Sequence, residues 1–335
     1  MKRIFKMISL LLTVAMIALL SVCLFACDKT KDRGELRFTA PQGTPALAML
    51  RLVEDNKNLD GAKMEYAVVA PSAIQVEMRD ERSDIIIMPI NAGAKLINQG
   101  KDYKLVSVAV EGSLFLIGNK QGGGAITFDD IKGKKIACIG QNNVPGLTFE
   151  HILKGNGIGV VYSGEPTQNQ ALISYVAEGS NAKSEYEAGR VDFMVVGEPA
   201  ATMFKAAPSS RGVNAEMNLQ LQYSALHVGA DSYPQAGLFV RTSLANDRQF
   251  MDALFDALED SKDWVEANPA EVTALAKKLY ESANFPAASI LRCALDCDEL
   301  DNEDKNEIIA FLKIIAPTDS YGNAIDWEAA RDRLF

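Results

Sequence analysis

The stretch Val191-Asp-Phe-Met-Val-Val-Gly-Glu-Pro-Ala-Ala-Thr-Met203 places a glutamate at the end of an apolar run and fixes it ahead of a proline. Phe193 to Val196 is a continuous apolar run with β-branched members, which predicts a short buried strand. Gly197 breaks it. Pro199 suits a first helical position, where its missing N–H would have no partner anyway. The proline also holds Glu198 extended. A carboxylate where a strand ends and a helix begins can do one of two things. It can accept from the helix's first amides and complement its dipole, a contribution of about 0.3–1 kcal/mol. It can also read a ligand, because open α/β sheets bind ligands at this edge. The residues leave both open.

Other chemistry-bearing patterns fall away on inspection. His151 and His227 are the two histidines, and no Gly-x-Ser-x-Gly accompanies them, which argues against a serine hydrolase. Gly155-Asn-Gly-Ile-Gly159 follows a helix and precedes a strand, the reverse of the dinucleotide-binding context, and reads as a helix stop. Lys132-Gly-Lys-Lys135 lacks the phosphate-loop spacing, and Asp296-Cys-Asp-Glu-Leu-Asp301 lacks the glycine and terminal glutamate of a calcium loop. That acidic stretch is expected to be a solvated helix face. Cys138 lies in an apolar run and reads as a buried small hydrophobe. Cys293 and Cys297 are four apart on an expected helix, with β-carbons about 5–6 Å apart, wider than the roughly 3.5–4.5 Å of a disulfide. They are expected to be inert. No enzyme, metal or cofactor signature is left.

The elements that must position Glu198 recur. Leu36–Ala40 runs into Pro41-Gln-Gly-Thr-Pro45, where Thr44 is a good N-cap and Pro45 a good first helical residue. Asp84–Met88 runs into Pro89-Ile-Asn-Ala-Gly93, and Lys135–Ile139 into Gly140-Gln-Asn-Asn-Val-Pro-Gly146. The Glu198 segment is the fourth case. They form two pairs: the strand at 36 is followed 48 residues later by Asp84-apolar-Pro, and that at 136 is followed 56 later by Asp192-apolar-Glu-Pro. An acidic helical stretch precedes each second member, Gln75–Arg82 and Ser184–Arg190. This loose internal repeat predicts two similar α/β lobes. The last third is helical: Phe250, Met251, Leu254, Phe255, Leu258, Trp264 and Val265 share one face before Asn268-Pro269, and further helices follow.

The chain opens with Lys2, Arg3 and Lys6 ahead of an apolar run from Met7 to about Ala26, the pattern of a secretory signal. Leu24-Phe25-Ala26-Cys27 then resembles a bacterial lipobox, with Phe25 where a small residue is usual, and implies acylation of Cys27 after removal of residues 1–26. An uncleaved anchor or simple secretion are the alternatives, and all three put the rest outside the cytoplasm. Cleavage leaves 309 residues and removes three positive charges, moving the net charge from −10 to −13. So acidic a chain is a poor partner for nucleic acid.

Four stretches, in order, resemble the type II periplasmic-type solute-binding proteins of ABC importers over essentially the whole mature chain. They are Thr39-Ala-Pro-Gln-Gly-Thr-Pro45, Asp84-Ile-Ile-Ile-Met-Pro-Ile-Asn91, Asp129-Asp-Ile-Lys-Gly-Lys-Lys-Ile136 and Gly197-Glu-Pro-Ala-Ala201. The branch they resemble serves sulfonates, nitrate, taurine and thiamine pyrimidine precursors. The resemblance implies a two-lobed α/β fold, each lobe a mixed sheet flanked by helices, with a helical C-terminal third. It also implies a short tether over 27–34, lobe 1 from 35–113 plus 236–335, and lobe 2 from 114–235. The expected partners are a small-molecule ligand, an ABC permease and, through Cys27, the membrane. The protein is expected to be a monomer without a cofactor. Enzymes on this scaffold use a cysteine-rich motif, a lysine and a histidine that the strand-end loops here lack. A sensory role, with the closed form handed to a receptor, stays open.

The residues at strand ends and crossings that the resemblance places around the cleft are Gln42, Gly43, Thr44, Pro89, Asn91, Glu111, Ser113, Gln141, Asn142, Asn143, Glu198, Tyr233 and Gln235. Thr44 is an apt cap whatever binds, and Asn142 and Asn143 also suit a turn. The set holds two carboxylates and no cation, so a bare anion would be costly to bury there. A neutral or amine-bearing ligand such as an aminopyrimidine is expected, accepted by Glu198 or Glu111 and stacked on Tyr233; a small anion is the alternative.

Overall fold

The computed structural model describes residues 32–280, 284–319 and 321–335. The segment 1–26, Cys27 and most of the 27–34 tether therefore lie outside the described residues. Twelve strands follow: β1 (Glu35–Pro41), β2 (Lys63–Val69), β3 (Ile85–Pro89), β4 (Tyr103–Glu111), β5 (Leu114–Gly118), β6 (Gly124–Ala125), β7 (Lys135–Ile139), β8 (Gly159–Val161), β9 (Gln170–Val176), β10 (Phe193–Gly197), β11 (Ala215–Asn218) and β12 (Pro234–Arg241). They build two sheets, in the orders β2-β1-β3-β12-β4 and β6-β11-β5-β10-β7-β9-β8. The run β9-β7-β10-β5-β11 repeats β2-β1-β3-β12-β4 strand for strand and direction for direction. Helices flank both, giving a two-lobed α/β molecule.

Asp84 and Asp192 show what the sequence repeat encodes. The Arg37 amide donates to the Asp84 carboxylate at 2.8 Å, and the Asp84 amide donates back to the Arg37 carbonyl at 2.8 Å. In the second lobe the Lys135 amide donates to the Asp192 carboxylate at 2.9 Å, and the Asp192 amide to the Lys135 carbonyl at 2.7 Å. Each aspartate thus sets the register of a central parallel pair. The strands it precedes are buried on both faces, which is why Ile85–Met88 and Phe193–Val196 show no polar alternation.

The chain passes between sheets from β4 to β5 and returns into β12, and the two passages are bonded together. The Gly112 amide donates to the Tyr233 carbonyl at 2.9 Å, and the Ser113 amide to the Gln235 side chain at 3.2 Å. A Cβ on Gly112 would lie 2.7–2.9 Å from Gln220 and the Tyr233 ring, so the crossing admits only glycine there.

The C-terminal third departs from expectation in one place. Helices Arg248–Ala267, Pro269–Leu279 and Asn302–Ile315 form where the apolar spacing put them. Cys293 and Cys297, however, do not share a helix. A 3-10 turn, Leu291–Cys293, ends at Ala294 with φ 49°, and Cys297 has φ 78°. The stretch 295–300 lies along β4: Leu295 and Glu299 bridge Val110 and Ser107, and the Cys297 amide donates to the Val108 carbonyl at 2.8 Å. The apolar residues of the acidic stretch are what seat it there, and the open backbone of β4 supplies bonds a helix would have made internally. All three described cysteines are free and buried. Beyond them, Ile308, Phe311 and Leu312 join one hydrophobic core with Phe149 and Ile152 of lobe 2 and with Tyr103 and Leu105 of lobe 1. The C-terminal segment straddles both lobes.

Candidate functional site

The carboxyl ends of β1, β3, β7 and β9 face one another across a cavity of about 630 Å³. Lobe 1 contributes Gln42, Gly43 and Pro89, and lobe 2 contributes Gln141, Asn143, Tyr175 and Glu178. A second cavity, of about 740 Å³, shares Gln141 and Asn143 and adds Asn91, Asn142 and Lys95. Burial draws the Lys95 ammonium below its ordinary value. Three helices begin at the cleft walls, at Pro89, Asn143 and Glu178, and none has a side-chain cap. In two of these first turns the third amide is already used, Gly146 donating to the Gly140 carbonyl at 3.2 Å and Asn181 to the Glu178 carbonyl at 3.1 Å, which leaves the N–H groups before them for acceptor atoms of a ligand. The loop into the second helix depends on glycine. Gly140 has φ 76°, and a Cβ on Gly146 would sit 2.6 Å from the Tyr175 ring and 2.7 Å from the Gly140 carbonyl.

Glu198 performs the capping job and one more. Its side chain is fully buried. The Thr202 amide donates to Oε2 at 3.1 Å and the Thr202 hydroxyl to Oε1 at 3.0 Å. Arg292, from lobe 1, donates Nε to Oε1 at 2.5 Å. The same guanidinium meets Glu216 at 3.1–3.2 Å and lies 4.0 Å over the Phe115 ring. Burial opposes charge on Glu216, yet its bonds to Arg292 and Lys205 hold its carboxyl below the ordinary value. Thr44 is not the N-cap, which is Gly43; its hydroxyl donates across the lobes to the Glu198 carbonyl at 3.0 Å. A two-part clasp thus joins the lobes at the Glu198 turn.

Other expected residues are placed as follows. Asn91 is buried and donates from Nδ2 to the Asn142 carbonyl at 3.0 Å, a further interlobe bond. Ser113 and Gln235 contact each other at the crossing. Tyr233 is fully buried, its ring parallel to Phe311 and edge-on to Tyr223, so it offers no face to the cleft. Glu111 lines a separate cavity of about 300 Å³ together with Asp231, Asp296, Asp298, Asp304 and Glu307. Burial first, then Asp296 and Glu307, push its carboxyl up to about 7. The two carboxylates that favoured an amine ligand are therefore both engaged away from the main cavity. Glu178, Tyr175, Lys95 and Arg292 were not anticipated. Only Arg292 carried a signal, as a lone charge within the apolar run Ile290-Leu-Arg-Cys-Ala-Leu295.

Among the described residues, no group of three or more His, Cys, Asp or Glu side chains could hold a metal ion. His151 and His227 pair through Nε2 atoms 2.8 Å apart, joining two lobe 2 helices.

No family model matches the chain, and no curated protein does. Solved structures do match over most of its length. An ABC transporter protein from Parabacteroides distasonis is 18% identical, with 87% of this chain and 96% of that one covered and a TM-score of 0.67. The periplasmic aliphatic sulphonate binding protein SsuA from Escherichia coli is 13% identical, with 88% and 96% covered and a TM-score of 0.61. The ligand binding component of an ABC-type import system from Staphylococcus aureus is 13% identical, with 84% and 91% covered and a TM-score of 0.59. The two-lobed chain therefore shares its fold with these three proteins.

Proposed function

We propose that the protein is a solute-binding component of an ABC importer, held outside the cytoplasm by a lipid on Cys27 and acting as a monomer that presents its closed form to the permease. The observation that carries this reading is the cavity between the carboxyl edges of two sheets joined by a double crossing. Lobe closure around such a cavity turns ligand binding into a shape a membrane partner can recognise. The ligand is small and polar, and neutral or amine-bearing. Gln42, Gln141 and Asn143 each offer a donor and an acceptor, and among the described residues the one charged side chain lining this cavity is the Glu178 carboxylate, an acceptor for an N–H group. Nitrogen compounds such as amides and aminopyrimidines have that mixture.

A thermal-shift panel of amides, aminopyrimidines, amino acids, polyamines, alkyl sulfonates and nitrate tests the ligand class. A binder at about 100 times its Kd adds roughly 2.7 kcal/mol, which is readily seen. A response to neutral or amine-bearing compounds that is lost in Gln141→Ala supports the assignment; a response to anions alone overturns it. For the anchor, Cys27→Ser is expected to release the protein from membranes into the soluble fraction.

A further inference from the structure

A smaller cavity beside the main one has no part in the reading above. It measures about 160 Å³ and lies between the lobes, with Ala46, Val68 and Phe285 on one side and Pro199, Ala200 and Met203 on the other. Its lining is mostly apolar, with Gln42, Asn284 and Tyr280 as the polar side chains. The Tyr280 hydroxyl, which borders it, is already engaged in donating to the Ala46 carbonyl at 2.9 Å. Gln42 and Gly43 line this cavity and the main one alike, so the two are neighbours across the turn that follows β1. An apolar space of about 150 Å³ is large enough for a benzene-sized guest.

Both walls are set by the clasp at Glu198. Pro199 follows Glu198 directly, and Ala46 lies two residues after Thr44, whose hydroxyl donates to the Glu198 carbonyl. The space therefore has its shape only when the lobes are together. A group that enters it buries apolar surface against both lobes at once.

We infer that the solute is amphipathic, with a polar head among Gln42, Gln141 and Asn143 and a compact apolar group of about four to six carbons in this second cavity. This rests on the main cavity being a solute site, and it narrows the class. A purely polar solute would leave the cavity unfilled and forgo the closing force it offers.

Calorimetry with the primary amides from acetamide to octanamide, and benzamide, tests the inference. Affinity is expected to rise about fourfold per added CH₂ up to five or six carbons and to stop rising by octanamide. The rise should vanish in Met203→Trp and shrink in Ala200→Val, both checked for an unchanged fold by circular dichroism. Fluorobenzene, which has no polar head, probes the cavity alone by fluorine NMR line width. Broadening in the wild type that Met203→Trp abolishes supports the subsite even where no amide binds, and that pattern would count against the head assignment instead. An amide series that binds without chain-length dependence, or fluorobenzene broadening that survives Met203→Trp, overturns the inference. So does the absence of any fluorobenzene signal.

Discussion

Glu198 divides its carboxylate between Thr202 in its own lobe and the Arg292 guanidinium of the other. Removing the arginine leaves a buried charge with only neutral partners, and such losses are strongly destabilising. Because Arg292 is itself about a third exposed, Arg292→Met is expected to cost about 2–3 kcal/mol in chemical denaturation rather than the larger sum of a fully buried pair. Glu198→Gln keeps an acceptor for Thr202 and should cost less; equal costs would mean that stranding the buried carboxylate carries no penalty of its own. Glu111 supplies a prediction of the opposite kind. Its folded pKa is raised from 4.5 to about 7, so the folded state holds a proton that the unfolded state has released. The contribution is full below about pH 4.5 and is lost as pH rises through 7. Glu111→Gln should therefore raise stability at pH 8 by about 2–3 kcal/mol and change little at pH 4. A gain independent of pH would show that ionisation is not the cause. The position of Glu198 was legible because strand, glycine and proline are consecutive in the chain. Arg292 was not, because its partner is 94 residues away and only the tertiary fold brings them together.

Strand-level features were legible where local pattern and burial agree. β3, β7 and β10 are continuous apolar runs, and Asp84 and Asp192 stand one residue before β3 and β10. β2 carries Lys63 and Glu65 among its apolar residues and gave no comparable signal. The stretch 295–300 misled because acidic residues spaced along a chain suit a helix face equally well. Its strand-like course is decided by β4, which lies elsewhere in the sequence. The paired aspartates make a quantitative test. Asp192→Ala removes a bond to the Lys135 amide, a loss of about 1–2 kcal/mol. Asp84→Ala removes the matching bond and also the contact with Arg241 at 2.7 Å, so it should cost more. The two sit in different lobes, and their costs in urea denaturation should add in the double variant to within about 0.5 kcal/mol. A larger mismatch would mean the lobes share strain.

At the scale of the molecule, the helix Asn302–Ile315 joins what the sheets keep apart. Phe311 stacks on Tyr233 at the crossing and meets Tyr223 of lobe 2 edge-on. Phe311→Ala is expected to cost about 3–5 kcal/mol and to split a single calorimetric transition into two, one per lobe. A single transition that merely moves to lower temperature would show that the lobes are coupled elsewhere. The repeat predicted two lobes, but this bridging was beyond its reach, since helical periodicity says that a face is buried without saying against what. The strand order has one more outcome. β3 and β4 do not touch; both pair with β12, which is made only after the whole of lobe 2. On a ribosome, a nascent chain of 220 residues would already hold every strand of the second sheet, while the first still had a gap between β3 and its edge strand β4. Synthesis thus runs in one direction and completion in the other: the part begun first is the last to be finished.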